Sequence, residues 1–595
     1  MNHKPAIELR KYLWLALFPL LIWTCTAQGA ENPPLHGEEL RHDDPPVRKY
    51  LDTNLPPEKK EPKPPTDAQL ALLRDLYENG DPGEAERVTW ILGDWPSDRN
   101  LATLELAAKS DVPGIKAQSA TSIGMLSSVL KGQKRKKAVQ ILTTLLRDRH
   151  ERVLWSALKA LGDLKAESAV SNMATFTSAK KRRLAREAIR SLGRVGSADA
   201  FGPLKDMLDA REPILVLETI QAIGKLEDPA YADQLMPKLS SKRYAERAAA
   251  IRSITALGAK NKQPLIIPLL NDKNGVVRRE ALRALVTFGG AKHSDYYLAR
   301  TKDSDHTVRR VAARAIGQFK IENGVPQLYR LLADEHLYVR EDAVDSMVTI
   351  GNEEVKELAG KGLSHKVNTV REGSSQILGR LRSDRNIEGH LKLLEDKFLP
   401  ARRWAAWAFG EIGRDDAKIL EKLYACATPE DQDVETASCA VLSMGKLGYR
   451  KPIPWYQKII PDKPTMSNPG TATPLRSAAV RALGMLKNEG SIGMLIRRFN
   501  DTGGMFPESP DLRFEAAVAF GRIGSRKAVG TLREHLTDGT ETYRIRTITK
   551  WAIGKITGQE PDYELPPHKR PKPDYFVRQA KSERETEDAK EAEQE

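Results

Sequence analysis

Residues 308–317 read VRRVAARAIG, and close relatives of this stretch recur along the chain. VRREALRAL begins at Val277, VREDAVDSM at Val339 and VREGSSQIL at Val370, so the four copies start 31 residues apart. Regular repetition at this interval is typical of stacked units, each of which covers the apolar face of its neighbour. The stretch therefore predicts a repeat architecture rather than one globular core.

The final glycine of the stretch belongs to a grid of nine points with the same 31-residue spacing. Six of these points are glycine: Gly162, Gly193, Gly224, Gly317, Gly379 and Gly410. At the other three, glycine comes three residues later, at Gly258, Gly289 and Gly351. Because glycine after an apolar run is a common helix stop, we expect a helix to end at each of these glycines.

Two positions before each grid point predict the buried face of that helix, because they lie four residues apart. The residues five before the grid point are small and would let a neighbouring helix approach: Ala157, Ala188, Thr219, Ala250, Ala281, Ala312, Ala343, Ser374 and Ala405. The residues one before it are large and apolar: Leu161, Leu192, Ile223, Ile254, Leu285, Ile316, Met347, Leu378 and Phe409.

Each unit also holds an earlier apolar segment, such as QPLIIPLL from Gln263 or VPQLYRLL from Val325. A unit is therefore an antiparallel helix pair. Beyond Gly410 the spacing widens, and the extra length falls near residues 450–475 and 501–511. Such insertions leave a solenoid as loops, which often carry recognition, although variation without function is equally consistent with them.

An aspartate stands six residues before the first arginine in several copies. The pairs are Asp272 with Arg278, Asp303 with Arg309, Asp334 with Arg340, and Asp396 with Arg402; before Arg371 the position is His365. Valine precedes the arginine in the first three pairs, and Ala401 replaces it in the last. These features resemble HEAT-like repeats, especially the short bacterial form first recognised in phycobilisome lyases, over roughly residues 67–557.

The resemblance implies an all-α fold, a right-handed α-solenoid superhelix of about 14–15 antiparallel helix pairs. It also implies that these residues form a structural ladder between neighbouring repeats. Its members are Asp272, Arg278, Asp303, Arg309, Asp334, Arg340, Arg371, Asp396 and Arg402. The second helices of such solenoids line the concave side, and the outward residues of those helices would therefore lie there.

The other arginines of the motif have a different predicted place. At about 100° per residue, positions three and seven before the grid point lie opposite the buried face, whereas the ladder arginine flanks it. The predicted partner-binding residues are Arg186, Arg190, Arg252, Arg279, Arg283, Arg310, Arg314, Arg403 and Trp407. They would form a basic strip for an anionic partner, although a solvated charged face is the alternative and acids such as Glu187, Glu218 and Glu280 would neutralise part of it.

The first 30 residues are typical of a signal peptide, possible lipoprotein type included. Basic residues precede the apolar run YLWLALFPLLIWTCTA, which is shorter than the roughly 20 residues of a membrane-spanning helix. Cleavage after Ala27 and lipidation at Cys25 both remain open. We expect an exported protein of the periplasm or cell envelope, with a lipid anchor as its only link to the membrane if Cys25 is lipidated.

Composition separates the remaining segments. Residues 31–66 are a proline-rich linker, 67–557 the solenoid, and 558–595 a charged tail. Only three cysteines occur, so a disulfide framework is absent; Cys426 and Cys439 could form one bridge or pack as small residues.

No pattern for a catalytic, metal or cofactor site stands out, and we expect no cofactor. Lys and Arg outnumber Asp and Glu by 94 to 80, which gives a net charge of +14 and favours anionic partners, but export argues against nucleic acid. The sequence favours a non-catalytic protein-binding scaffold of the bacterial cell envelope with an unknown protein partner. Capture of an anionic envelope polymer or lipid headgroup, and a lyase-like HEAT-repeat enzyme, are the alternatives.

Overall fold

The computed structural model describes residues 66–563, except residues 96, 429–432 and 467–469. The predicted signal peptide with Cys25, nearly all of the linker and most of the tail lie outside the described residues. Within them, all regular secondary structure is helical. No described helix combines the length and the low charge that crossing a lipid bilayer requires.

Thirty α-helices follow one another as the first and second helices of fifteen repeats, which confirms the predicted all-α solenoid. The first helices are α1 Asp67–Asn79, α3 Leu101–Ala108, α5 Gly132–Leu145, α7 Val170–Ala174, α9 Phe201–Asp206, α11 Ala232–Leu235, α13 Gln263–Ile266, α15 Ser294–Arg300, α17 Val325–Leu331, α19 Glu353–Gly362, α21 Ile387–Leu393, α23 Ala417–Ala427, α25 Ile453–Ile459, α27 Ile492–Phe499 and α29 Val529–Thr537. The second helices are α2 Pro82–Asp94, α4 Pro113–Met125, α6 Glu151–Asp163, α8 Arg182–Val195, α10 Pro213–Ile223, α12 Tyr244–Ala256, α14 Gly275–Gly289, α16 His306–Gln318, α18 Leu337–Ile350, α20 Asn368–Arg380, α22 Leu399–Ile412, α24 Val434–Lys446, α26 Thr473–Met485, α28 Pro510–Ile523 and α30 Tyr543–Thr557.

The described chain divides into two compact units, with the boundary between Ala359 and Gly360. The first unit contains repeats 1 to 9 and groups with residues 540–547, and the second contains residues 360–539 and 548–560. Within the first unit, each second helix from α2 to α16 packs against the next second helix, and α20 to α28 do the same within the second unit.

The second helices keep the 31-residue period that the sequence predicts. From α6 to α22 each begins 31 residues after the one before, from Glu151 to Leu399. The eighteen small and large positions predicted for the buried face are fully buried, with 0% of each residue exposed. The predicted core is therefore confirmed, and it lies between successive helix pairs.

The grid glycines have a different role from the predicted helix stop. Gly193 and Gly317 lie inside the last turn of α8 and α16 rather than after it. A Cβ atom at Gly193 would lie 2.8 Å from the Cβ of Ala222 on α10, and one at Gly317 would lie 2.6 Å from the Cβ of Ser346 on α18. Glycine is needed there because the next second helix passes too closely for any side chain.

The chain leaves the helix three residues beyond the grid point instead. Gly196 and Gly351 have φ values of 75° and 61° there, the left-handed conformation that commonly follows a helix. Lys165 and Lys320 stand at the same position in their repeats, with φ values of 45° and 49°. Glycine occupies this position in five of the nine repeats: Gly196, Gly258, Gly289, Gly351 and Gly413.

Candidate functional site: the arginines of the second helices

Four arginines link neighbouring repeats through paired hydrogen bonds. The guanidinium of Arg309 donates to the two carboxylate oxygens of Asp334 over 2.7 and 2.8 Å. Its remaining Nη1 donates to the carbonyl oxygen of Asp303 over 2.9 Å. Each arginine thus binds the carboxylate of the next repeat and the backbone of its own loop. The four pairs are Arg247 with Asp272, Arg278 with Asp303, Arg309 with Asp334, and Arg371 with Asp396.

These pairs are nearly buried, and their charges alter each other's proton affinity. Side-chain exposure is 11% for Arg278 and 2% for Asp303. Burial alone would raise the pKa of Asp303, but the hydrogen bonds from Arg278 and the backbone N–H of Asp305 outweigh it and hold the pKa below its usual value. The hydrogen bond to Asp334 raises the pKa of Arg309. Both partners therefore stay charged at neutral pH.

Two arginines of the predicted ladder, Arg340 and Arg402, have no aspartate partner among the described residues. Arg340 donates to the carbonyl oxygens of Asp334 and Glu335 over 2.9 and 3.2 Å, and the residue in the next aspartate position is His365. The side chain of Arg402 makes no hydrogen bond or salt bridge with any described residue. The next second helix begins four residues later than the period predicts, so the aspartate position of that repeat is residue 431, which lies outside the described residues, and the place of Arg402 in the ladder stays a prediction.

Sequence reasoning missed two members of the ladder. Arg247 pairs with Asp272, although the valine of the motif is replaced before it by Glu246. Lys116 on α4 pairs with Asp148 over 3.1 Å in the same register, with lysine in the place of arginine. Both cations stand eight residues before a grid position, Gly124 and Thr255, so a search of that position for either lysine or arginine would have found them.

The arginines predicted to face outward divide into two groups. Those three before the grid point are exposed: Arg190, Arg252, Arg283 and Arg314. Those seven before it are only half-exposed, and the prediction that they are free outward charges was wrong: Arg186, Arg279, Arg310 and Arg403. Each of the second group is held by an acid whose side chain is largely buried.

Two of these acids are clamped by a pair of arginines from the preceding repeat. Glu218 on α10 accepts from Arg190 over 2.8 Å and from Arg186 over 2.9 Å. Burial would raise the pKa of Glu218, but the hydrogen bonds from the two arginines lower it overall. Asp342 on α18 accepts in the same way from Arg310 over 2.7 Å and Arg314 over 2.6 Å. The clamps neutralise part of the predicted basic strip.

A third acid leaves positive charge uncompensated. Glu280 on α14 contacts Arg279 at 2.8 Å, but Arg252 and Arg283 only at 3.6 Å. A separation of 3.6 Å is too long for a hydrogen bond. Three cations thus share one buried carboxylate, and the guanidinium donors of Arg252 and Arg283 remain available to a partner. We call Arg252, Arg283 and Arg314, which are exposed at this position, the arginine row; Arg314 donates its Nε to Asp342 and would offer a partner its two Nη groups.

In the second unit, Arg403 and Trp407 do not form an open cation–aromatic site. Arg403 donates to both carboxylate oxygens of Asp433, over 2.7 and 2.8 Å, and also pairs with Glu435. Trp407 is half-buried, and its ring lies across Gly379 and packs edge-on against Trp404. Both side chains are committed to contacts between repeats.

The predicted insertion loops are shorter than expected, because α25 occupies part of residues 450–475. The loops are residues 460–472 and 500–509, of which 467–469 lie outside the description. Arg476 and Glu508 form an ion pair with 1% of each side chain exposed, and Lys463 donates to Asp501 over 2.6 Å. The two loops are therefore fastened to each other.

The cysteines do not form the bridge that the sequence left open. Cys426 and Cys439 are both buried, and neither takes part in a disulfide. Burial raises the pKa of Cys426, so this thiol is protonated at neutral pH.

Helix pairs that stack through their second helices define an α-solenoid. A family model described as HEAT repeats matches residues 232–296 and 294–379, so this part of the chain consists of HEAT repeats. The matched residues include the ladder pairs from Arg247 to Asp334. No curated protein matches the sequence.

Solved structures of low sequence identity share the fold. Yeast importin-beta (Kap95p) superimposes with a TM-score of 0.55 at 12% identity, over 83% of this chain and 73% of that chain. Kap95p bound to RanGDP gives the same TM-score and identity over 83% and 72% of the two chains. CpcE and CpcF of phycocyanin lyase from Nostoc match 37% of this chain and 92% of that chain at 18% identity, but their TM-score of 0.26 supports no argument. At these identities the likeness concerns the fold alone.

Proposed function

We propose that this protein is a non-catalytic scaffold of the bacterial cell envelope that binds an extended acidic segment of a partner protein on the arginine row. The observation that carries the proposal is the exposure of three arginines at one position of three successive second helices. Side-chain exposure is 44% for Arg252, 57% for Arg283 and 61% for Arg314. All three lie in the first unit.

The spacing of the row favours an extended chain over a compact ligand. Packed helices lie about 8–10 Å apart, so successive arginines are separated by roughly that distance. A polypeptide in the extended polyproline II conformation advances about 3.1 Å per residue with three residues per turn, so every third side chain lies on one face and would bring a carboxylate to each arginine. Guanidinium groups bind carboxylates with two parallel hydrogen bonds, which adds geometric selectivity to charge attraction.

The envelope location rests on the signal peptide predicted from residues 1–30, and the solenoid fold supports protein binding rather than catalysis. The same row could instead bind an anionic envelope polymer or a lipid headgroup. A flexible polyanion is held mainly by charge, so its binding should fall steeply with salt. A peptide held by paired hydrogen bonds should lose less affinity as the salt concentration is raised. A lyase-like enzyme would retain a chromophore or cofactor through purification.

The test compares Arg252→Gln/Arg283→Gln with the wild-type chain. The probe is a peptide with glutamate at every third position, beside a peptide of the same composition whose glutamates are contiguous. We expect the wild type to prefer the spaced peptide, and the variant to bind it roughly tenfold more weakly per arginine removed.

Lys225→Gln/Lys260→Gln is the matched control, because both lysines are exposed, belong to the same unit and lie off the row. Binding of the spaced peptide that is unchanged in the arginine variant, or lowered equally in the control, would overturn the proposal. Equal affinity for the two peptides would show that the arginine row recognises negative charge regardless of its spacing. That result would favour the anionic polymer or lipid headgroup as the partner.

A further inference from the structure

We propose that a second surface of the first unit binds an anionic lipid bilayer. This surface, the basic edge, consists of the residues just before the second helices of repeats 3 to 6, together with the first two residues of α6 and α8: residues 146–152, 175–183, 210–212 and 241–243. These segments hold ten lysine and arginine residues and three acidic ones. The choice of lipid over other polyanions rests on the proposed envelope location, where anionic headgroups are abundant.

The three acids of the basic edge are already paired, so they do not cancel the remaining charge. Asp148 binds Lys116, Glu151 binds Lys181 over 3.0 Å, and Glu212 binds Arg182 over 3.2 Å. Six exposed cations make no ion pair with any described residue: Arg147, Arg149, Arg152, Lys180, Arg211 and Lys242.

The arrangement suits a fluid surface better than a ligand of fixed shape. The second helices α6, α8, α10 and α12 pack in succession, so their preceding segments follow one another along one edge. With about 8–10 Å between packed helices, the six cations extend over roughly 30 Å. Long, unpaired side chains spread over that distance can each meet a different headgroup, and each contributes to binding without a shared pocket.

Aromatic side chains accompany the cations. Tyr244, the first residue of α12, follows Arg243 directly and is 50% exposed. Arg183 lies over the ring of Trp155, 5.1 Å from its centroid. Tyrosine and tryptophan are favoured where a protein meets the headgroup region, because one end of each ring system is apolar and the other polar.

The charge reverses in the neighbouring repeats, which limits the surface. The corresponding segments of repeats 7 to 9, residues 272–274, 301–305 and 333–336, contain two lysines and five acids. Most of those acids take part in the ladder or cap a helix. An anionic bilayer would therefore be attracted by repeats 3 to 6 and not by repeats 7 to 9.

The experiment is cosedimentation of the full chain with phosphatidylcholine vesicles, with and without phosphatidylglycerol. The readout is the difference between the two vesicle types, so apolar insertion of the N-terminal segment cancels. We expect binding that requires phosphatidylglycerol and falls with salt. The variant Arg147→Gln/Arg149→Gln/Lys180→Gln/Lys242→Gln should lose on the order of 100-fold in that lipid-dependent affinity.

Two further variants make the result decisive. Lys205→Gln/Lys225→Gln/Lys260→Gln/Lys292→Gln removes the same charge from exposed lysines outside the basic edge and should bind like the wild type. Arg147→Lys/Arg149→Lys/Lys180→Arg/Lys242→Arg keeps the charge and should also bind. The proposal is wrong if the edge variant binds as the wild type does, if the lysine control loses as much, or if the chain binds DNA but shows no preference for phosphatidylglycerol. None of these results depends on the glutamate peptide, so this inference and the proposed function can fail separately.

Discussion

Repeats 6 to 9 and repeats 3 to 5 share one period and one buried face, but they are joined differently. Three successive arginines, from Arg247 to Arg309, bind an aspartate in the next repeat. In repeats 3 to 5 the same position is Leu154, Ala185 and Val216, and the three junctions that follow have no such pair. The ladder is therefore not required for helix pairs to stack, and where it is present it adds to the apolar core.

The presence or absence of the ladder also determines the charge of the segments that connect the first and second helices. The ladder needs an aspartate at each junction, and its loops therefore carry acids. Where the ladder is absent, Ala179, Ala210 and Ser241 replace that aspartate, and the surrounding positions are rich in lysine and arginine. The basic edge thus overlaps the break in the ladder in repeats 4 to 6, whereas its segment in repeat 3 contains the ladder acid Asp148. The cations of these segments that bind no neighbouring repeat are available to another partner.

The largest expected effect is loss of a ladder pair. Arg309→Ala should destabilise the first unit by about 3 kcal/mol, because it leaves the carboxylate of Asp334, with 7% of the side chain exposed, without its guanidinium partner. The partner left unpaired is Asp334, not Asp303, whose carboxylate is bound by Arg278. Lys242→Ala, at an unpaired position of the basic edge, should change stability by less than about 0.5 kcal/mol. Denaturant unfolding of both variants would test this, and equal losses would show that the ladder adds nothing to the core.

Low pH should weaken the Lys116–Asp148 pair of the ladder. Burial would raise the pKa of Asp148, but hydrogen bonds from the backbone and ring of His150 and from Lys116 lower it to about 2. Because the folded-state pKa lies below the unfolded value of 3.8, the stabilisation is complete above pH 4 and is lost as pH falls toward 2. Asp148→Asn should remove on the order of 2 kcal/mol of this pH dependence. Thermal melting at pH 4.5 and 2.5 is the measurement, and an unchanged difference between the two midpoints would contradict it.

An arginine–aspartate pair can also be introduced at a junction that lacks one. Val216 and Ser241 occupy the arginine and aspartate positions of the junction between repeats 5 and 6. Val216→Arg alone should destabilise, since it places an unpaired charge at a residue that is 5% exposed. Adding Ser241→Asp should recover about 1 kcal/mol beyond the sum of the single effects. A double-mutant cycle measures that coupling, and additive effects would mean that the backbone of this junction does not match the ladder geometry.

Much of this could be predicted from the sequence, because it depends on spacing within one helix. The period and the eighteen buried positions follow from residues a few positions apart, but the arginine partners do not, because each ladder arginine binds the aspartate 25 residues later rather than the one six residues before it. The role of Gly193 does not, since it depends on how closely α10 passes. The clamp at Asp342 was missed for the same reason: the acid belongs to one repeat and both of its arginines to the repeat before. Register between repeats is set by packing, and a single sequence does not show it.

The smallest expected effect concerns the end of the second helix, which is common to both sets of repeats. Lys320 has a φ of 49°, whereas Gly351 occupies the same position one repeat later. A side chain in the left-handed region costs about 1 kcal/mol, and glycine removes that cost while losing part of the gain to its greater freedom in the unfolded chain. Lys320→Gly should therefore stabilise the first unit by about 0.5 kcal/mol, and Gly351→Ala should destabilise it by about 1 kcal/mol. Chemical denaturation of the two variants checks both signs; destabilisation by Lys320→Gly would mean that the helix end is fixed by contacts of the lysine side chain rather than by the backbone.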